Sequence, residues 1–282
     1  MSRNKGRTKA SSPAPAQAVK TAPTQTIGLS YVAPTEFVEL PSRGQFYSVD
    51  HPLHNQETIE LRFMTAKDED ILTSRSLLKK GVALERLIDN LLVDKRISAR
   101  NILVGDRNAI IIAARSSGYG NAYETSVTCP QCGVTSKEVF DLDNPNIKEV
   151  TLDESLDITK TENGYFATKL PHSGYHIEFR LLTGKDERMI DAELDKIRKL
   201  GVQVIPELTT RLRYLITSVD GNDEQSTINS FVENMLSKDS LSLRQEITRV
   251  TPDIDLSQEV NIEGETVKVN IPMTVNFFWP NA

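Results

Sequence analysis

The chain has 282 residues, 38% of them hydrophobic and 26% charged, with a net charge of −6, which is enough material for two ordinary domains with a sizeable core. No apolar run approaches the roughly 20 residues that a membrane span needs, and the basic N-terminus lacks the apolar segment of a secretory signal, so synthesis in a cytoplasm is expected. Two cysteines, Cys129 and Cys132, are too few for a disulfide-built scaffold, and their spacing points to metal or redox chemistry instead.

Residues 1–30 are rich in Ala, Ser, Pro and Lys and carry Arg3, Lys5, Arg7, Lys9 and Lys20 with no acidic residue among them. Such a segment cannot bury a core and is predicted to be a disordered basic arm that orders only on assembly. Its scattered charges are a weak nucleic-acid signature.

Beyond the arm the chain repeats itself. Residues 59–69 (IELRFMTAKDE) and 177–187 (IEFRLLTGKDE) share seven of eleven residues, with Leu61/Phe179 and Met64/Leu182 apolar in both. A Leu-Pro-x-x-Gly turn precedes each copy, at residues 40–44 and 170–174, and a longer loop follows the first. Repetition of this kind marks two copies of one unit, predicted over residues 31–150 and 151–282.

In chain order, Ile59-Glu60-Leu61-Arg62-Phe63 alternates apolar and polar as a half-buried strand does. Thr65-x-x-Asp68 then reads as a helix start, and Thr183-x-x-Asp186 repeats it. Leu84, Leu87, Ile88, Leu91 and Leu92 form one helical stripe, answered by Leu208, Leu212, Leu215, Ile216 and Val219. A further helix is predicted over residues 106–115 and its counterpart over 239–250, each with an opening aspartate, Asp106 or Asp239, able to cap it. Each copy then ends in a β-hairpin, over residues 123–142 around Cys129-Pro130-Gln131-Cys132-Gly133 and over 259–278, where Val260 and Glu263 stand in place of the thiols. Residues 143–161 read as a turn-rich linker. The expected fold is therefore α+β: two tandem homologous units, each strand, helices and β-hairpin, the first with a CPxCG knuckle, behind a disordered N-terminal arm.

The CPxCG turn supplies two thiolates, half of a tetrahedral zinc site. His172 and His176 have a spacing seen in zinc sites and are the candidate completing ligands. A site completed by another chain and a metal-free hairpin are the other readings, so zinc is a candidate cofactor and none is required. A thioredoxin-like dithiol would open a helix, whereas residues 134–140 look extended.

Glu60/Arg62 and Glu178/Arg180 fall on the polar face of one strand, where an adjacent or cross-strand ion pair is the usual meaning. Gly118-Tyr119-Gly120 lacks the phosphate-loop patterns, and no HExxH, GxSxG or DxDxDG sequence occurs, so nothing supports an enzyme. Phe277, Phe278 and Trp279, with the only tryptophan, are either a final strand docked on the core or a partner-binding anchor.

Taken together, LRFMTAKDE and FRLLTGKDE, the helix DRNAIIIAARSSGYG running into CPQCG, and the ending FFWP resemble the T4-type bacteriophage baseplate hub family, over most of residues 31–280. The resemblance implies a non-enzymatic component or assembly factor of the baseplate's central hub in a contractile-tail phage. It would be made in the host bacterium's cytoplasm and located in the virion tail baseplate. Its partners would be other baseplate, hub and tail proteins, with no membrane and no small-molecule substrate. A zinc-ribbon-like nucleic-acid adaptor is the alternative; the net negative charge speaks against it.

Overall fold

An alternating strand buries every second side chain, and Ile59 and Leu61 are buried while Glu60 and Arg62 face outward. A computed structural model describes residues 33–129, 133–143, 145–148, 150, 158–161, 164–262, 265–271, 273 and 275–278. The expected arm, Cys132 and Trp279 lie outside the described residues. Strand β1 (Thr35–Glu39) pairs antiparallel with β2 (Thr58–Arg62), Val38 opposite Ile59. The chain then turns through Thr65 into α1 (Ala66–Thr73), α2 (Arg75–Lys79) and α3 (Ala83–Leu91), followed by α4 (Val104–Tyr119). The hairpin β3 (Ala122–Thr128) and β4 (Thr135–Asp141) closes this half, with the Cys129 N–H donating to Val134 O beyond the strand ends.

The predicted linker is built into sheets. Its β5 (Asn146–Lys148) pairs with a strand near the C-terminus, and its β6 (Ile158–Lys160) opens a four-stranded sheet. In that sheet β6 precedes β7 (Phe166–Lys169), β8 (His176–Phe179) and β9 (Ile216–Val219), all antiparallel neighbours. Between β8 and β9 run α5 (Gly184–Lys199) and α6 (Glu207–Leu215). After β9 come α7 (Gln225–Asn234), α8 (Ser237–Val250), β10 (Asp253–Asp255), which pairs with β5, and the hairpin β11 (Ser257–Ile262) and β12 (Glu265–Asn270). A 3-10 turn (Val275–Phe278) follows where a terminal strand was expected.

The strands around the two Leu-Pro turns pair in matching register. Thr168 stands opposite Ile177 as Val38 does opposite Ile59. The N–H of Leu40 donates to Glu57 O at 2.8 Å and that of Leu170 to Tyr175 O at 2.9 Å. Gly44 and Gly174 close the two Leu-Pro turns at φ +71° and +77°, the left-handed region that glycine enters freely.

The helix expectations need correction. The stripe Leu208–Val219 is not one helix, because α6 ends at Leu215 and the backbone of Ile216 turns extended (ψ 129°) to pair with Phe179. The β-branched and small run Ile-Thr-Ser-Val suits a pleated, half-buried strand better than a helix. In the first half the same device is a single bridge, Leu92 to Leu61. The helix after the first corner breaks at Ser74, where α5 continues for 16 residues. Helix α7, with Ile228 and Val232 buried one turn apart, was not anticipated.

Residues 33–282 form one compact unit around a continuous core that runs from Leu40 to Phe278 and draws on both halves. The seam between the halves is a backbone one. Val104 N–H donates to Leu182 O (3.1 Å), Gly184 N–H to Ile102 O (3.0 Å) and Lys185 N–H to Arg100 O (2.8 Å). A Cβ on Gly184 would stand 2.6 Å from Ala99 O, so the second corner needs glycine where the first has Ala66. Among the described residues no helix is long and apolar enough to cross a membrane.

Candidate functional site

The repeated words fold into repeated hydrogen-bond sets. Arg62 does not pair with Glu60 on its own strand; its guanidinium reaches past the corner and donates twice to Asp68, at 2.7 Å each. Asp68 also accepts the N–H and hydroxyl of Thr65 at 2.8 Å each and the Asn90 amide at 2.5 Å. Arg180 and Thr183 make the same bonds to Asp186 at 2.7–2.8 Å. Each corner is thus a capping box joined to a bidentate arginine. Burial alone would raise the Asp68 carboxyl, but Arg62, Thr65 and Asn90 together bring it down to about 2. The same balance of burial against Arg180 and Thr183 lowers Asp186.

Asp106 and Asp239 do not cap their helices. The N-caps are Leu103 and Leu236, and each aspartate is the third helical residue, pointing at the Leu-Pro turn of its own half. Asp106 Oδ1 accepts the Ser42 N–H at 2.9 Å and Oδ2 accepts the Ser42 hydroxyl at 2.6 Å. Asp239 accepts the N–H groups of His172 (2.9 Å) and Ser173 (3.0 Å). Both carboxylates are fully buried. The first half adds Tyr47, whose hydroxyl donates to Asp106 Oδ2 at 2.6 Å and accepts the Leu103 N–H at 3.0 Å. Burial raises the Asp106 carboxyl more than Ser42 and Tyr47 lower it, and burial beside Asp106 pushes the Tyr47 phenol well above its usual range. Asp239 also feels burial, yet the His172 N–H and the hydroxyl and N–H of Ser173 prevail and lower it.

Of the predicted metal residues, Cys129, His172 and His176 do not converge among the described residues, and Cys132 lies outside them. Cys129 is packed in the first half's core, its N–H donating to Val134 O at 2.8 Å while its carbonyl accepts the Gly133 N–H at 2.9 Å. His172 is exposed on the second Leu-Pro turn and His176 is exposed at the start of β8, and their backbone N–H groups serve Asp239 and Asp220. Among the described residues no three His, Cys, Asp or Glu side chains sit together as a metal-holding group. A set of Cys129 with both histidines is therefore not formed, because the thiol faces a core and the imidazoles face solvent.

The aromatic end is occupied within the chain. Phe277 and Phe278 are both 0% exposed. Phe277 packs edge-on against Tyr123 at 4.8 Å. Buried Arg115 fixes the segment, donating from Nε to Phe277 O (2.9 Å) and from its two Nη atoms to Gly120 O (2.6 Å) and Ala122 O (3.1 Å). A partner could meet these two rings only by displacing the chain's own core.

Each of the four aspartates is taken up by backbone, hydroxyl, amide or guanidinium donors, so the arrangement fixes corners and turns. Sequence reasoning missed Tyr47, Arg115 and the true task of Asp106 and Asp239. The available signal was the pairing of a repeated Leu-Pro-x-x-Gly turn with a repeated aspartate at the start of a later helix. In the second half Asp239 also lines an open cleft of about 690 Å³.

A family model described as T4 bacteriophage base plate protein matches residues 34–279. Comparison with curated proteins and with solved structures gave no match.

Proposed function

Because the chain belongs to the T4 bacteriophage base plate protein family, we propose that it is a non-enzymatic component of the central hub of a contractile-tail baseplate, working through contacts with other hub and tail proteins. The observation that carries this reading is the family match over residues 34–279, which takes in both corners, both Leu-Pro turns and both hairpins. The buried ionisable groups support it, since they hold backbone turns together. The surface supports it as well: Leu200, Val202, Val204 and Leu208 expose apolar side chains around the α5–α6 connection, and clustered exposed apolar groups mark protein-contact surfaces.

In this reading the two halves are tandem copies of one unit, fused through the seam at residues 100–104 and 182–185. The matching register, corner bonds and turn-holding aspartates support that descent. The CPxCG turn closes a hairpin and requires no metal for this role.

Mass spectrometry of purified mature particles, set against tail intermediates from infected cells, tests the proposal. Fixed stoichiometry in mature particles is the expected result for a hub subunit. Recovery only from intermediates would replace it with an assembly factor that departs, and absence from both would end the hub reading.

A further inference from the structure

Strands β1 and β7 hold matching places, Val38 opposite Ile59 and Thr168 opposite Ile177, but differ in what lies along their outer edges. In the second half β8 holds one edge of β7 and β6 holds the other, with Thr159 opposite Ala167. In the first half β2 holds one edge of β1, and among the described residues no strand lies on the other. That open edge can be assigned residue by residue. The Leu40 N–H donates to Glu57 O and the Phe63 N–H to Pro34 O, and antiparallel bonds recur at every second residue, so Glu36 and Val38 turn their backbone groups toward β2. Thr35, Phe37 and Glu39 therefore turn theirs outward, and all three residues are exposed.

The side chains show the same difference. In β7, Phe166 and Thr168 are buried, at 0% and 7% exposure. Glu36 and Val38, at the matching positions of β1, are only half-buried, and Phe37 between them is 71% exposed. An open edge with an exposed phenylalanine at its centre is a template for a further strand, and strand addition to such edges is a recurring mode of peptide recognition.

We propose that this edge receives an extended segment of a partner protein, added antiparallel as β6 is added to β7, with an apolar residue opposite Val38 and a basic residue opposite Glu36. The inference rests on the reading of the chain as a protein-contact component with equivalent halves. The covered edge supplies both preferences. Ile158 stands opposite Thr168 and is buried, and Lys160 stands opposite Phe166; the same two residues laid along β1 would face Val38 and Glu36. Charge favours a basic partner over a second copy of this chain. A second β1 laid along the first would add its own Glu36 and Glu39 to those already there, and like charges across a ribbon are destabilising.

The test uses the full chain, isotope-labelled and titrated with blocked peptides while amide resonances are followed by NMR. The first peptide is KITKT, the β6 sequence with a lysine placed before it to face Glu39. In KIPKT a proline removes the N–H that would donate to Phe37 O, and in EITET glutamates replace the lysines. KITKT is expected to shift the amides of Thr35, Phe37 and Glu39, and the other two to bind at least about fivefold more weakly. Phe37→Pro should abolish the response and leave the chain folded, because the N–H it removes points out of the sheet. In the free chain the Phe37 amide should exchange with deuterium faster than that of Ala167. Equal binding of the three peptides, shifts away from β1, or no shift would overturn the inference. A protected Phe37 amide in the free chain would overturn it too, giving the edge to a second copy if dilution removed the protection and to the chain's own residues if it did not. An edge that takes no peptide, in a chain that is found in baseplates, would sink the edge alone. Peptide binding by a chain absent from baseplates would sink the hub reading alone.

Discussion

The starts of α4 and α8 are matching places in the two halves with opposite fates. Leu103 and Leu236 are both N-caps with extended backbone, and each stands three residues before a buried aspartate. Leu103 is 5% exposed, covered by the second corner through its bridge to Thr183 and sealed by Tyr47. Leu236 is 55% exposed and lines an open cleft. Identical local geometry therefore leaves open whether a surface becomes core. Neighbours decide that, and here they are a loop present in one half and a junction that can be made only once in a chain of two units.

The contrast is sharpest at the far ends of the same helices, where the largest effect is expected. Arg115 in α4 donates to three carbonyls that belong to the hairpin root and the C-terminal turn. Its counterpart in α8 is Thr248, exposed, with its hydroxyl donating only along its own helix to Arg244 O. Arg115→Ala should lower unfolding free energy by about 3 kcal/mol or more, since each hydrogen bond to a charged group contributes about 1.5–3 kcal/mol. Thr248→Ala should stay within about 0.5 kcal/mol. Urea unfolding of the two variants checks this, and similar losses would show that the C-terminal turn does not depend on Arg115.

A smaller effect is expected at the turn itself. Tyr47→Phe keeps the ring but leaves the Leu103 N–H without its acceptor and removes a donor from Asp106. The cost should be about 2 kcal/mol, the scale of an unsatisfied buried group. Tyr175→Phe, at the edge of the open cleft, should change thermal stability by less than about 0.5 kcal/mol. Equal losses would mean that Tyr175 already does for the second half what Tyr47 does for the first.

These comparisons also show what was legible in the sequence. The helix starts at Thr65 and Thr183 could be read because their bonds to Asp68 and Asp186 span three residues and repeat as one word, whereas Arg62 and Arg180 read as parts of adjacent or cross-strand ion pairs and in fact reach the aspartates six residues on. The hairpin around Cys129 was legible from a turn flanked by extended residues. The aspartates of α4 and α8 were visible but misread, because a side chain near a helix start is locally a cap and only the fold shows that its acceptors face a turn 64 or 67 residues away. Helix α7 was missed because two buried residues in a polar stretch are a faint stripe. Phe277 and Phe278 looked alike as anchor or as core until Arg115, 162 residues earlier, was seen to hold the segment inward.

Acidification should separate the corners from the turns. The Asp68 carboxyl lies at about 2 against an ordinary 3.8. A folded-state value below the unfolded one contributes stability that is present above about pH 4 and lost as pH falls through about 2. Asp186 is lowered in the same sense. Asp106 is raised, so its titration works the other way: the folded state gains protons before the unfolded one, and the contribution is present below 3.8 and lost as pH rises through the folded value. The gap in stability between the native chain and Asp68→Asn should therefore close by about 1–2 kcal/mol between pH 4 and pH 2, because acid removes from the native chain what the substitution has already removed. The gap for Asp106→Asn should widen over the same fall, since only the native chain is relieved by protonation. Denaturation midpoints measured at several acidic pH values distinguish the two. Gaps that close in parallel would show that the charge of Asp106 supports its turn as that of Asp68 supports its corner, and that burial does not set the two carboxylates apart.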